Sequence, residues 1–99
     1  MKGKGGIKNM KKIYRISLSR ILTLNPSYTA IHCNTEEKAN KLLTILNKLG
    51  KKWVSGQSYL EDNYWRFDTT ETCYGLDGSC GISKWYDNVY EFDEVDLEN

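Results

Sequence analysis

The stretch CNTEEKANKLLTILNKLG, residues 33–50, decides how the rest of the chain is read. Asn34 or Thr35 can cap a helix by accepting a backbone N–H. Glu36 and Glu37 follow at the end where the helix dipole favours negative charge. With Asn34 as the cap, Glu37 stands at the third helical position and approximates a capping box. Ala39, Leu42, Leu43, Leu46 and Leu49 recur at helical spacing, while Lys38, Lys41, Asn47 and Lys48 take much of the remaining surface. Gly50 offers a left-handed stop, with Lys48, Lys51 and Lys52 around the negative end. A helix over 36–49 follows.

Working outward, residues 28–33 have the length and β-branched or aromatic content of a strand, with Ile31 and Cys33 on one face and His32 on the other. Before it, Asn25-Pro26-Ser27 ends an ambiguous segment, 13–24, whose apolar spacing fits either a strand or a short helix. After the helix, 53–59 reads as a short strand opening into a polar loop, which carries the aromatic knot Tyr64-Trp65-Arg66-Phe67. The last third reads as a meander. Asp77-Gly78 turns 72–76 into 79–86, and Asp87-Asn88 turns that into 89–95. Two-residue turns pair 76 with 79 and 86 with 89, which sets Trp85 opposite Tyr90 and Lys84 opposite Glu91. Such pairs are each worth about 0.2–1 kcal/mol. The expected fold is therefore α+β, one main helix packed on an antiparallel sheet of four or five strands. The helix stripe would cover a face bearing Tyr74, Trp85, Tyr90 and Phe92.

Ninety-nine residues hold one such domain and not two. Three tryptophans, seven tyrosines and two phenylalanines exclude a disordered, low-hydrophobicity chain. No apolar run approaches the roughly 18 residues of a spanning helix. Charge is polarised. Residues 1–20 carry seven basic side chains and no acid, and residues 86–99 carry six acids and no base. We expect a flexible basic arm over 1–12 and a single domain over 13–99. Lys8, Lys11, Lys12 and Arg15 are the candidate nucleic-acid contacts, salt-sensitive and sequence-blind. The alternative is self-neutralisation, within the chain or in a homo-oligomer joined through the basic arm and the acidic tail. Cys33, Cys73 and Cys80 form an odd set without a CxxC pair. That pattern, with no secretory leader, leads us to expect reduced thiols and a cytoplasmic location.

Chemistry-bearing residues are few. Cys33 is expected at a strand end before a helix N-terminus, where the dipole can lower a thiol pKa. The neighbouring His32 points to the opposite face, so the bland reading is a buried small hydrophobe. One histidine and three dispersed cysteines make no metal site, and no phosphate-binding glycine loop is present. The segment after the helix is richer. Lys52, Trp53, Ser55, Gln57 and Tyr59, together with Trp65 and Arg66, mix cations, hydroxyls and flat rings that can stack a base and neutralise phosphates. The alternative gives Trp53 and Trp65 to the core.

Residues 30–92 resemble a group of small proteins encoded in phages and prophages of Gram-positive bacteria. The matching stretches are AIHCNTEEKANKLL (30–43), LGKKWVSGQSYL (49–60), TCY (72–74) and VYEF (89–92). No activity is assigned to that group, so no functional residue is carried over. The resemblance implies an accessory protein that binds a host component, and with the residue pattern we expect it to be non-enzymatic and stoichiometric, with no cofactor and no membrane partner. Its partner would be a host protein or a small nucleotide ligand, as for inhibitors of CRISPR effectors or sponges for nucleotide signals. A nucleic-acid-binding module using the basic arm is the alternative, and a thiol enzyme on Cys33 a second one.

Overall fold

Thr35 begins the main helix. Its backbone is extended (φ −139°, ψ 154°) and its hydroxyl accepts the Lys38 N–H at 3.2 Å, which releases α2 over Glu36–Lys48. Asn34 takes a different part, accepting the Lys38 ammonium at 3.0 Å. At the far end Gly50 adopts φ 87°. Its N–H donates to the Asn47 carbonyl and that of Lys51 to the Leu46 carbonyl, each at 3.0 Å, the paired bonds of a Schellman stop. Leu49 therefore falls outside the helix and is 55% exposed instead of joining the stripe. Ala39, Leu42, Leu43 and Leu46 are buried as their spacing requires, each leucine contributing about 1.5–3 kcal/mol.

The computed structural model describes residues 15–97, so the basic arm with Lys8, Lys11 and Lys12 lies outside the described residues. Where 13–24 is described, both halves of its ambiguous pattern are present. A two-residue strand β1 (Ile16–Ser17) runs into a one-turn helix α1 (Leu18–Ile21), capped by the Ser17 hydroxyl. β2 (Thr29–His32) is the central strand of a four-stranded sheet. It pairs antiparallel with β3 (Cys73–Gly75) and parallel with β5 (Asn88–Glu91). β4 (Cys80–Gly81) lies outside β3, giving the order β4-β3-β2-β5. A separate parallel ladder joins β1 to β6 (Val95–Asp96).

The fold is thus α+β with one main helix, but the antiparallel sheet of four or five strands is corrected to a mixed sheet plus a parallel pair. The first hairpin is present with its register moved by one residue. Gly75 N–H donates to Ser79 O at 2.9 Å and Gly78 N–H to Gly75 O at 3.2 Å, so three residues, not two, make the turn. Gly78 has φ 90° while Asp77 does not join it in the positive region, the geometry of a turn closed by a glycine bulge. A one-residue slip exchanges the faces of everything beyond it.

The second hairpin does not form. A Cβ at Gly81 would overlap the Trp85 ring, and Ser83–Trp85 is a 3-10 turn in place of a strand. The chain then docks on the start of β2, where the Tyr28 carbonyl accepts N–H bonds from Asp87 and Asn88, both 2.9 Å. Consequently Tyr90 lies beside Ile31, not Trp85, and Glu91 bonds His32, not Lys84. Trp85 is 63% exposed, whereas Tyr90 and Phe92 are partly buried against the core. Residues 53–59 also form no strand. Trp53 N–H donates to Gln57 O (3.0 Å) and Gly56 N–H to Trp53 O (2.8 Å), so the segment turns back on itself. No helix among the described residues is long and apolar enough to cross a membrane.

Candidate functional site

The irregular segment between α2 and β3 is held by side chains reaching backbone groups. Asp62 Oδ1 accepts the Tyr64 N–H (2.8 Å) and Asn63 Oδ1 the Trp65 N–H (2.9 Å), two side-chain turns in series. They launch a single helical turn, α3 (Trp65–Asp68). Asn63 Nδ2 donates to Glu36 and Asn40 on α2, at 2.9 and 2.8 Å. The Trp53 indole donates to the Asp62 carbonyl at 2.9 Å, and the Tyr74 hydroxyl to the Asn63 carbonyl at 2.7 Å. Core rings thus serve as anchors for an exposed loop.

Strain brackets α3. Tyr64 sits at φ 53°, and Thr69 at φ 45° with ψ −119°, a region that a β-branched residue occupies only under constraint. Such outliers cost on the order of 1–3 kcal/mol and concentrate at contact sites. The turn between β3 and β4 is equally constrained. A Cβ on Gly78 would lie 2.6 Å from the Val54 nitrogen and 2.8 Å from the Lys52 carbonyl oxygen, and Gly78 O accepts the Val54 N–H at 3.1 Å.

These three pieces enclose a cleft of about 400 Å³ lined by Trp53, Val54, Ser55, Tyr64, Phe67 and Asp68 on one side and by residues 78–80 with Trp85 on the other. Val54, Phe67 and Trp85 are 81%, 67% and 63% exposed. Isolated exposed apolar side chains are ordinary, but three lining one depression make it the candidate contact surface. Phe67 stacks on Tyr64 with ring centroids 6.1 Å apart and planes at 26°. A larger depression of about 640 Å³ runs along α2 past Glu36, Glu37, Lys41 and Ile45 to Leu97. Among the described residues it has charges of both signs and no ring, so we place the candidate site at the smaller, ring-lined cleft.

The proposed ligand set divides. Trp53 and Ser55 line the cleft. Trp53 is also a core ring, edge-on to Tyr59 at 4.7 Å and to Tyr64 at 5.0 Å, so both readings of it hold in part. Tyr59 is buried in the core, and Gln57 accepts the Tyr64 hydroxyl at 2.6 Å. Trp65 is partly buried against the core, and Lys52 is exposed outside the cleft. Arg66 turns to Asp62, Nη1 to Oδ1 2.8 Å, and lies 4.6 Å from the Phe67 ring centre. Arg66 and the Tyr64 N–H hold the Asp62 carboxyl below the usual carboxylate range. Arg15 is exposed. The sequence reading omitted Val54, Phe67, Asp68 and Trp85 from the ligand set. Alternation along 79–86 places Trp85 on a strand, and the adjacency of Val54 to Trp53 is the signal the sequence offers for the other wall.

Cys33 is the buried small hydrophobe of the bland reading, and its thiol is not acidified. Burial, then the neighbouring Cys73, pushes its thiol up to about 12, so the helix end does not generate a thiolate there. His32 stands on the other face with both ring nitrogens engaged, Nδ1 to Glu91 Oε1 and Nε2 to Thr70 O, each at 2.7 Å. No group of three or more metal-ligating side chains occurs among the described residues. No protein-family model matches the chain, and no curated protein or solved structure is significantly similar to it.

Proposed function

We propose that the chain is a non-enzymatic accessory protein of phage type, that it acts by binding a host protein stoichiometrically, and that a component of host defence is the class of target. What supports this reading is the convergence of Val54, Phe67 and Trp85, all solvent-exposed, on one cleft whose wall is a strained turn. Contact surfaces are enriched in exposed aromatic anchors of this kind. A nucleotide target is the weaker form of the proposal, because no lysine or arginine lines the cleft among the described residues. The buried, alkaline-shifted Cys33 gives no support to a thiol enzyme.

The test is capture from host lysate on the immobilised full chain, analysed by native mass spectrometry beside the Phe67→Ser variant. The reading expects one protein in fixed ratio, with recovery cut severalfold by the substitution. Equal recovery on both chains, or a retained nucleotide in place of a protein, contradicts it.

A further inference from the structure

The lining of the ring-bearing cleft is specific about charge. Four of its side chains are aromatic: Trp53, Tyr64, Phe67 and Trp85. Its single charged member among the described residues is Asp68. Asp68 makes no hydrogen bond to the backbone turn that it precedes, and no ion pair or side-chain hydrogen bond to any described residue. A carboxylate left without a partner beside ring faces is half of an interaction. Both elements attract cations, the carboxylate by its charge and the rings by their quadrupoles.

The molecule contains an example of the same chemistry. The Arg66 guanidinium lies 4.6 Å from the centre of Phe67 and 5.6 Å from that of Tyr64 while bonded to the Asp62 carboxylate at 2.8 Å. A guanidinium against these rings with a carboxylate at its edge is therefore already present, on a residue that does not line the cleft. On the cleft side the rings and Asp68 are present and no cation lines the wall. The negative field also reaches the opposite wall: after burial, Asp68 is the next cause raising the Cys80 thiol, to about 11. Asp77 stands behind that wall, accepting the Ser79 hydroxyl at 2.5 Å.

We propose that the cleft receives a basic side chain, a lysine ammonium or arginine guanidinium, presented by the partner protein, with Asp68 as its counter-ion and Tyr64, Phe67 and Trp85 as its ring walls. This rests on the reading of the cleft as the contact surface and adds the charge of what enters it.

The test uses four probes on the isotopically labelled full chain, followed through the indole N–H resonance of Trp85. They are a seven-residue Gly/Ser peptide with lysine at its centre, the same peptide with arginine, the same with glutamine, and adenosine monophosphate. The lysine or arginine peptide should shift Trp85 saturably, with the glutamine peptide about threefold to tenfold weaker. Asp68→Asn should abolish that preference. Because the Asp68 side chain bonds no described residue, this variant should keep the wild-type spectrum elsewhere. Equal binding of the glutamine peptide, an unchanged preference in Asp68→Asn, no shift with any peptide, or tighter binding of the nucleotide overturns the proposal. Failure here is separable from failure of the broader reading. If protein capture survives in Asp68→Asn but is lost in Phe67→Ser, the cleft remains the contact and the cationic occupant is wrong.

Discussion

The two halves of this molecule are built by different means. On one side, α2 contributes a periodic stripe of Ala39, Leu42, Leu43 and Leu46 to the core cluster that also holds Ile31 of β2 and Tyr74 of β3, and each of those side chains is buried. On the other, residues 53–69 have one helical turn, four side-chain turns and two non-glycine residues at positive φ. Their order comes from individual bonds, such as the Trp53 indole to Asp62 O and the Tyr74 hydroxyl to Asn63 O. The first half spends its apolar side chains on the core. The second leaves Val54 and Phe67 in solvent and faces the equally exposed Trp85. A chain of this size has few rings to spare from its interior, so rings held outside it, on strained backbone, are where we look for activity.

Substitutions can break this contrast, beginning with the largest effect. Leu42→Ala removes a wholly buried side chain from the stripe and should cost about 2–5 kcal/mol in a denaturant titration. Less than about 1 kcal/mol would mean that the stripe is not the core. Gly78→Ala attacks the junction between the halves, where positive φ and the backbone of residues 52–54 both exclude a methyl group. It should cost about 2 kcal/mol or more and broaden the Trp85 and Val54 signals. Thr69→Gly should do the reverse. It relieves the φ 45° strain at an exposed position and should stabilise the fold by about 1 kcal/mol. A destabilised variant would show that the Thr69 side chain is held for its contacts.

A finer effect is carried by pH. The Thr70 carbonyl and the ionised Glu91 carboxylate can only accept, so His32 bonds both fully as the imidazolium. Burial opposes that charge, yet the two acceptors, with Glu71 also nearby, outweigh it and raise the His32 pKa above 6.5. The charged groups acting on it are Glu91 and Glu71, both acidic. Because the folded value exceeds the unfolded one, the contribution is fully present below about pH 6.5 and is lost as pH rises through the higher, folded value. The stability gap between the native chain and His32→Gln should therefore be widest in mild acid and shrink on the alkaline side. A gap that grows with pH would assign the clasp to neutral imidazole.

What the amino-acid order made legible tracks locality. The helix was readable because its cap, stripe and stop all lie within residues 34–51; the choice of Thr35 over Asn34 and the loss of Leu49 from the stripe needed the structure. The Asp77-Gly78 turn was readable as a turn, but not as a three-residue one, since the same dipeptide serves both geometries and differs only in the φ of its aspartate. Pairing of β5 with β2 was not readable. Alternation along 89–95 states which residues share a face, never which distant strand they join. Trp85 shows the consequence for the site, for an in-phase ring looks like a strand residue until Gly81 is seen to accept its side chain over the backbone. Trp53 and Ser55 were reachable because aromatic and hydroxyl residues cluster there, whereas Asp68 gave no signal before it was seen to line the same cleft as the rings.

The most direct measurement pairs stability with capture in the double substitution Phe67→Ser and Trp85→Ser. If the exposed rings serve contact and not folding, unfolding free energy should stay within about 1 kcal/mol of the native chain while protein capture from lysate disappears. A loss of about 3–5 kcal/mol, as for truncating core rings, or capture that persists undiminished, would contradict the account.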